Sequence, residues 1–233
     1  MNKMRNSFKL LITLCTVALA VSCSKDDNTT GTTGLTYTYF PVNVGHELIY
    51  DVELITKDEF TQIEDTVYYQ LREVVESVFT DNQGRPTQRL ERYTRPTSSD
   101  PWVISDVWTS NISSTLAEKK EENDTYIKLT FPVRSNRTWD GNSKNNQDEL
   151  LYEYSEVDVP GSIGMLSFDS TLTVLQQDED NFIERKYAVE RYATHVGMIY
   201  KEQVDILKDY TNPGNPGIKA QRLYKETLIS WSN

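Results

Sequence analysis

The side chains that most often perform catalysis are scarce in this 233-residue sequence. It contains two histidines, His46 and His195, and two cysteines, Cys15 and Cys23. No HExxH-type spacing occurs, so a zinc site would need carboxylate ligands from elsewhere in the chain. Each histidine stands close to a glycine that favours a turn, where an exposed or hydrogen-bonded imidazole is the simpler interpretation. A site shared by the two would require a sheet that closes on itself.

Two other segments resemble catalytic motifs only at first sight. In the run Pro160–Gly164 the serine lacks the glycine that a nucleophile elbow needs two residues before it. We therefore predict a turn at Pro160-Gly161. The segment 212–217 has no following lysine and no helix start, so we interpret it as a loop without a phosphate site.

The acidic residues allow two further kinds of site. The segment Asp140–Asp148 is rich in the oxygen ligands that calcium prefers, but its spacing differs from an EF-hand, and a solvated loop is the alternative. Glycoside hydrolysis needs two carboxyl groups about 5 to 9.5 Å apart, and 35 acidic residues do not select a pair. Four tryptophans are either sugar platforms or half-buried core residues, namely Trp102, Trp108, Trp139 and Trp231. We expect no catalytic residue, no metal and no cofactor.

The N-terminal segment has the composition of a secretory signal. Lys3, Arg5 and Lys9 precede an apolar run over 10–21 that ends in small residues. The run is shorter than the roughly 20 apolar residues that a membrane span needs. We predict a cleaved signal peptide over residues 1–22.

Cys23 directly follows these small residues and resembles the processing site of bacterial lipoproteins. The resemblance implies that its thioether carries a lipid that anchors the protein to the membrane, whereas the alternative is an unmodified cysteine. The next residues are similar to the surface-export signal of Bacteroidota lipoproteins, and they are Ser24, Lys25, Asp26 and Asp27. That similarity implies the outer membrane, with the domain exposed at the cell surface.

Cleavage before Cys23 would leave 211 residues and change the formal net charge from −11 to −14. Such a chain is repelled by nucleic acid and by anionic headgroups, which excludes a nucleic-acid partner. With Cys23 acylated, the remaining body has no thiol for a disulfide or a nucleophile. The polar segment 23–36 cannot bury apolar surface, and we interpret it as a flexible tether.

From residue 37 onward the apolar side chains alternate with polar ones. Leu48, Tyr50 and Val52 alternate with acidic residues, as expected for strands with one packed and one solvated face. Short turns between such runs favour one antiparallel meander over 37–233, strongly curved or closed into a partial barrel of about 11 strands. The predicted strands are 46–56, 65–79, 86–94, 102–109, 114–120, 125–133, 149–158, 166–177, 181–193, 196–208 and 219–230.

Two motifs resemble the opening and the closing hairpin of uncharacterised Bacteroidota lipoproteins. They are Tyr39–Tyr50, with Leu48 where those proteins often have tryptophan, and Glu190–Glu202, with His195 in place of a glycine. The resemblance implies a mostly antiparallel β-domain on a lipid anchor and carries over no catalytic residue. Within these motifs we expect Gly45 to permit a tight turn, and Gly197 to mark a bulge or a close backbone approach.

A tripeptide also recurs, because Phe40-Pro41-Val42 and Phe131-Pro132-Val133 have the same sequence. Either two related halves or chance explains the repeat.

These observations favour a non-enzymatic binding or assembly role in the cell envelope, with an envelope protein or a glycan as partner. One alternative is a carrier of an apolar ligand or lipid in a curved half-barrel, which a large apolar cavity would support. The other is a carboxylate-based glycan hydrolase, which buried convergent carboxylates with perturbed pKa values would support.

Overall fold

The computed structural model describes residues 37–212 and 216–233. The signal peptide and tether predicted over 1–36 lie outside these ranges. The described part contains one short 3-10 helix, Tyr37–Tyr39, and none of its helices is long and apolar enough to cross a membrane. The twelve strands are β1 Glu47–Lys57, β2 Glu64–Thr80, β3 Pro86–Arg95, β4 Val103–Ile112, β5 Leu116–Glu121, β6 Asp124–Thr130, β7 Thr138–Asp140, β8 Leu151–Ile163, β9 Leu166–Asp180, β10 Glu184–Ala193, β11 Gly197–Asp209 and β12 Gly217–Ser232.

The strands form a single antiparallel sheet in the order β6-β5-β4-β3-β2-β1-β12-β11-β10-β9-β8-β7. Every neighbouring pair is consecutive in the chain except β1 and β12, which join the two ends. The sheet curves into a nearly closed barrel with one unsealed seam, between β6 and β7. The all-β fold class, the antiparallel meander and the partly closed barrel predicted from the sequence are confirmed.

The alternation of β1 sets the inner face of the barrel. Leu48, Tyr50 and Val52 are buried, and all three pack into one apolar cluster. A second cluster forms around Trp139 and Tyr154, close to the seam. Burial of large side chains of this kind contributes about 1.5–3 kcal/mol each relative to an exposed position.

The strand that the sequence did not predict is β7, which has only three residues. Trp139, at its centre, is flanked by polar residues, so the segment carries no alternating run to read. Trp139 is buried because its ring stacks at a tilt on Tyr154, with the ring centroids 4.5 Å apart. Tertiary packing therefore defines this strand.

The predicted turn at Pro160-Gly161 is wrong, because both residues lie inside β8. The reversal comes later, at Gly164, whose φ is +55°. β7 pairs with β8 only over 151–153, which leaves the rest of β8 without a strand on that side. Proline is tolerated on such an edge because its missing N–H has no ladder partner to lose.

Side chains bridge the unsealed seam where a main-chain ladder is absent. The hydroxyl of Tyr154 accepts a hydrogen bond from the Thr130 N–H at 2.8 Å and donates one to the Thr130 carbonyl at 2.9 Å. The Trp139 indole N–H donates to the Ile127 carbonyl at 2.9 Å. The backbone N–H of Ile127 also donates to Gly141 at 2.9 Å. These contacts pair backbone N–H and carbonyl groups of β6 that would otherwise have no partner on the seam side.

The meander gives the barrel two ends, which we call proximal and distal. At the proximal end the described chain begins at Tyr37, and the β8–β9 and β10–β11 turns lie beside it. There the His195 N–H donates to the Thr38 carbonyl at 2.7 Å, and Tyr39 bonds Ser170 at 2.6 Å. The distal end contains the β1–β2, β3–β4, β5–β6, β7–β8, β9–β10 and β11–β12 connections.

Left-handed backbone conformations near the proximal end include those of Gly45, Gly197 and His195. Gly45 turns at φ +91° into β1, as predicted. Gly197 has φ +93°, and a Cβ there would lie 3.3 Å from Pro41 Cδ, so the predicted close approach is present. His195 has φ +64°, which explains why a glycine suits this position in the motif that the hairpin resembles.

The repeated tripeptide occupies equivalent places in the topology. Phe40-Pro41-Val42 precedes the six strands β1–β6, and Phe131-Pro132-Val133 precedes the six strands β7–β12. Internal duplication stays a hypothesis, and the two halves would be β1–β6 and β7–β12, divided at the seam.

Candidate functional site in the barrel interior

The interior of the barrel contains a group of charged side chains, which we call the ion cluster. Its members are Glu73, Arg92, Lys119, Glu121, Lys128, Glu190, Lys201 and Glu226, four carboxylates and four cations. Most belong to strands that also contribute apolar side chains to the core. Glu190, Lys201 and Glu226 form one row, because the register places them opposite each other on β10, β11 and β12.

The cluster connects strands that are not neighbours in the sheet. Arg92 on β3 donates to Glu226 on β12 at 3.0 Å, although β2 and β1 lie between them. Lys128 on β6 donates to Glu190 on β10 at 2.6 Å, across the seam. These bonds therefore cross the interior from wall to wall.

Each half of the cluster is completed by a further carboxylate. Glu73 accepts from Lys119 at 2.7 Å and lies 3.3 Å from Arg92. Glu121 lies 3.1 Å from the ammonium of Lys128. The cluster is thus neutral as a whole, and every carboxylate in it has a cation within 3.5 Å.

The neighbouring cations keep the carboxylates ionised. Burial alone would raise the pKa of Glu190, but Lys128 and Lys201 outweigh it, and the pKa lies below its usual range. Glu73 behaves in the same way: burial is opposed by Lys119 and Arg92, and its pKa is lowered. For Lys128, burial is outweighed by Glu121 and Glu190, which raise its pKa well above the usual value.

Aromatic side chains enclose the cluster. The Trp108 ring centroid lies 3.8 Å from the Arg92 guanidinium, a cation–π contact that stabilises a desolvated charge. Tyr192 donates its hydroxyl to Glu190 at 2.6 Å, and Tyr224 donates to Glu226 at 2.5 Å. Burial, together with the facing carboxylate, raises the pKa of both phenols. They therefore act as hydrogen-bond donors to the carboxylates.

A cavity of about 60 Å³ remains beside the cluster. Two buried atoms there, Arg92 Nε and Glu226 Oε2, make no hydrogen bond to the described residues. Arg92 Nε does lie 3.3 Å from a Glu73 oxygen, so its charge is compensated although the angle is poor. A cavity of this size with unpaired polar atoms on its wall accommodates water. It lies far below the roughly 300–1,000 Å³ of small-molecule pockets.

Two larger depressions open at the ends of the barrel. The proximal groove, about 670 Å³, is mainly apolar and is lined by Tyr37, Phe40, Pro41, Val42 and Ile112. The distal cleft, about 730 Å³, is mainly polar. It lies between the β7–β8 loop, 141–150, and strands β9 to β12.

The residues that the sequence singled out for anchoring and export are Cys23, Ser24, Lys25, Asp26 and Asp27. All five lie outside the described ranges, so their roles stay predictions.

The two histidines do come to the same end of the barrel. Buried His46 bonds Val196 O at 2.9 Å and Asn233 Oδ1 at 2.7 Å, whereas the side chain of His195 is exposed. Across 37–212 and 216–233, no three His, Cys, Asp or Glu side chains are grouped closely enough to hold a metal ion. His46 therefore fixes the C-terminus against the β10–β11 turn.

Hydrogen bonds within the candidate calcium loop already occupy oxygen atoms of Asp140 and Asp148. Asp140 Oδ1 accepts backbone N–H groups of Asn142 at 2.9 Å and Leu150 at 3.1 Å. Asn142 in turn donates to the Asp148 carbonyl at 2.8 Å. The loop is a hydrogen-bonded turn of the distal end.

The tryptophans divide between core and surface. Trp139 is buried, and Trp108 covers the ion cluster. Trp102 stacks with Arg95 at 4.1 Å, and Trp231 packs on Phe168 while about a third of its surface stays exposed.

The ion cluster is the feature that the sequence interpretation missed. Its signal is a charged residue in phase with buried apolar ones: Glu73 between Leu71 and Val75, and Lys201 two residues after Ile199. Period-two alternation then places the charge on the inner face.

No protein-family model matches the chain, and no curated protein matches it. Among solved structures, an exported protein with a YmcC-like fold from Bacteroides fragilis NCTC 9343 is similar to it, with 13% identity and a TM-score of 0.46. A lipoprotein from Parabacteroides distasonis ATCC 8503 has 10% identity and a TM-score of 0.38. Each comparison covers 83% of this chain and 98% of the other chain. At these scores the likeness says nothing about activity.

Proposed function

We propose that the chain is a lipid-anchored component of the bacterial cell envelope, exposed at the cell surface, that binds a partner without changing it chemically. The anchor is Cys23, and the segment Ser24–Asp27 directs export. The partner is an envelope protein or a glycan.

The observation that carries the binding role is an arrangement of exposed side chains. Four large apolar residues project from two hairpin tips at the distal end, namely Phe60, Ile63, Phe182 and Ile183, each at least 66% exposed. The described chain begins at the opposite end, at Tyr37. A tether that ends at Tyr37 therefore joins the barrel at the end opposite the tips. Each tip therefore exposes a pair of large apolar side chains, which offer contact area to a partner.

The ion cluster supports a role without catalysis. A general acid needs a raised pKa, and a general base needs a pKa near the working pH. The pKa values of Glu73 and Glu190 are instead lowered by the lysine and arginine side chains paired with them. Glycoside hydrolysis needs one carboxyl that retains its proton. The lowered pKa values of Glu73 and Glu190 thus do not suit the proton-donating carboxyl of the hydrolase alternative.

The carrier alternative receives little support from the interior. The interior cavity measures about 60 Å³, too small for an acyl chain, and its walls include the charged side chains of the ion cluster as well as apolar ones. The one apolar depression described above is the open proximal groove, where the chain enters at Tyr37.

Epitope insertion tests both the anchoring and the orientation. A short epitope is inserted into full-length protein after Phe60, at a distal tip, or after Gln83, in the β2–β3 turn beyond the proximal end. On intact cells, antibody should stain the distal insertion more strongly. Staining of neither insertion, with both detected after lysis, would contradict surface exposure.

Two variants separate anchoring from export. Cys23→Ala should release the protein from the membrane fraction or leave it unprocessed, and should abolish palmitate labelling. Replacing Lys25, Asp26 and Asp27 together with alanine should keep the label and remove the surface staining. Unchanged fractionation and labelling of Cys23→Ala would refute the anchor.

A further inference from the structure

We propose that the distal cleft is a binding site for a short, uncharged saccharide. This proposal rests on the surface-exposed binding role above and names the class of ligand. The cleft lies at the distal end of the barrel, opposite Tyr37, and its volume of about 730 Å³ falls within the usual range of ligand pockets.

The strand register builds the wall of the cleft in rows. The outermost row pairs Lys186, Asp205 and Arg222 across β10, β11 and β12. The next row pairs Ala188 with Gln203. The row below these is the buried Glu190 row of the ion cluster. The wall is therefore open to solvent at its rim, and the ion pairs of the buried Glu190 row hold the same three strands in place below it.

Several polar groups in the cleft have no protein partner. The side chains of Gln203, Asp205 and Arg222 make no hydrogen bond to other described residues, and the same is true of Asn146 on the facing loop. All four line the cleft. Their hydrogen-bonding capacity is thus available to a ligand or to water, and no internal bond must be broken first.

The balance of charge excludes strongly charged ligands. Lys186 and Arg222 are matched by Asp148 and Asp205, so the lining residues have no net charge. A polyanion or a polycation gains no electrostatic advantage in such a site. An acyl chain is excluded as well, because it would leave the polar groups desolvated and unpaired.

Carboxamides dominate the remaining polar lining. Asn142, Gln147 and Gln177 already donate to protein acceptors, whereas Asn146 and Gln203 make no hydrogen bond to other described residues and face the cleft free. A carboxamide offers donors and an acceptor side by side, and a hydroxyl both donates and accepts. Vicinal hydroxyls therefore match carboxamides, and the pair of Asp205 and Arg222 supplies a charged acceptor and donor. A saccharide presents such hydroxyls along its whole edge without net charge.

The test uses the purified full chain in detergent and calorimetric titration. The probes are maltose, cellobiose, lactose and N,N′-diacetylchitobiose, each up to about 10 mM, with inorganic phosphate and palmitate as comparators. We expect at least one disaccharide to bind. Gln203→Ala/Asp205→Ala should weaken that binding about tenfold or more, because two hydrogen bonds are lost.

The control is Glu202→Ala/Gln221→Ala, which changes the opposite face of β11 and of its neighbour β12 and should leave affinity unchanged. Equal unfolding temperatures of both variants and wild type exclude a folding defect. Disaccharide binding that the cleft variant retains would overturn the proposal. Failure of all four disaccharides, or binding of phosphate or palmitate alone, would overturn it too.

The sugar recovered after titration distinguishes this proposal from the proposed function. Intact sugar supports both. If the sugar is cleaved by the wild type and not by the cleft variant, the site is supported but the non-enzymatic role is overturned. Epitope staining of intact cells tests surface exposure independently of any ligand.

Discussion

Lys128→Met tests whether the ion cluster holds the two walls of the barrel together. The substitution removes the ammonium that lies 2.6 Å from Glu190 and 3.1 Å from Glu121. Both carboxylates then remain in the interior, and among the described residues Lys201 is the cation left within 4.0 Å of them, at 3.8–4.0 Å. Removing one partner of a buried pair costs about 3–5 kcal/mol. For a domain of this size, each kcal/mol lowers the unfolding temperature by about 2–4 °C, so we expect a decrease of about 6–20 °C.

The assay is thermal and urea unfolding of the full chain, followed by tryptophan fluorescence and by circular dichroism; the thermal scan gives the unfolding temperature and the urea series gives the free energy. Lys225→Met is the control, because its partner Glu53 is 3.5 Å away on the surface and such exposed pairs contribute below about 1 kcal/mol. The double variant Lys128→Met/Glu190→Gln removes charge of both signs and should recover part of the loss. If Lys128→Met costs no more than Lys225→Met, the cluster does not hold the barrel together.

Three further predictions concern pH, the seam and a close contact. Glu73 and Glu190 have lowered pKa values, so their contribution to stability is complete above the unfolded value of about 4.3 and is lost as pH falls through the folded value. The urea midpoint should therefore decrease from pH 5 to pH 3. Tyr154→Phe leaves the N–H and carbonyl of Thr130 unpaired and should cost about 2–4 kcal/mol, with faster amide exchange at Thr130; unchanged exchange would argue against the side-chain seam. A Cβ on Gly141 would lie 2.3 Å from the Tyr152 ring, so Gly141→Ala should lower the unfolding temperature clearly, while Gly217→Ala, with its nearest contact at 3.7 Å, should not.

Much of the fold follows from local patterns in the sequence. The alternation around Leu48, Tyr50 and Val52 sets which face of β1 is buried, and the short turns impose antiparallel pairing of neighbours. Left-handed turns at Gly45 and near Gly197 were also readable, because few other residues adopt such φ values.

The rest depends on contacts between distant residues. β7 is defined by the packing of Trp139 against Tyr154, and no alternating run in the sequence predicts it. The ion cluster was overlooked because a charged residue in a strand is normally assigned to the solvent side. Glu190 and Lys128 are stable inside only because the curved sheet brings them to 2.6 Å, a distance that spacing along the chain does not encode.

The pairing of β1 with β12 has a consequence for the order in which the chain can be completed. Every other ladder joins strands that follow each other directly, so each can form as soon as its hairpin exists. The β1–β12 ladder alone must wait for the final 16-residue strand and close a loop of nearly the whole domain. A chain that emerges N-terminus first therefore keeps one edge of β1 open until its last residues arrive. A product truncated before residue 217 exposes two long strand edges, on β1 and β11, which are templates for pairing with other chains.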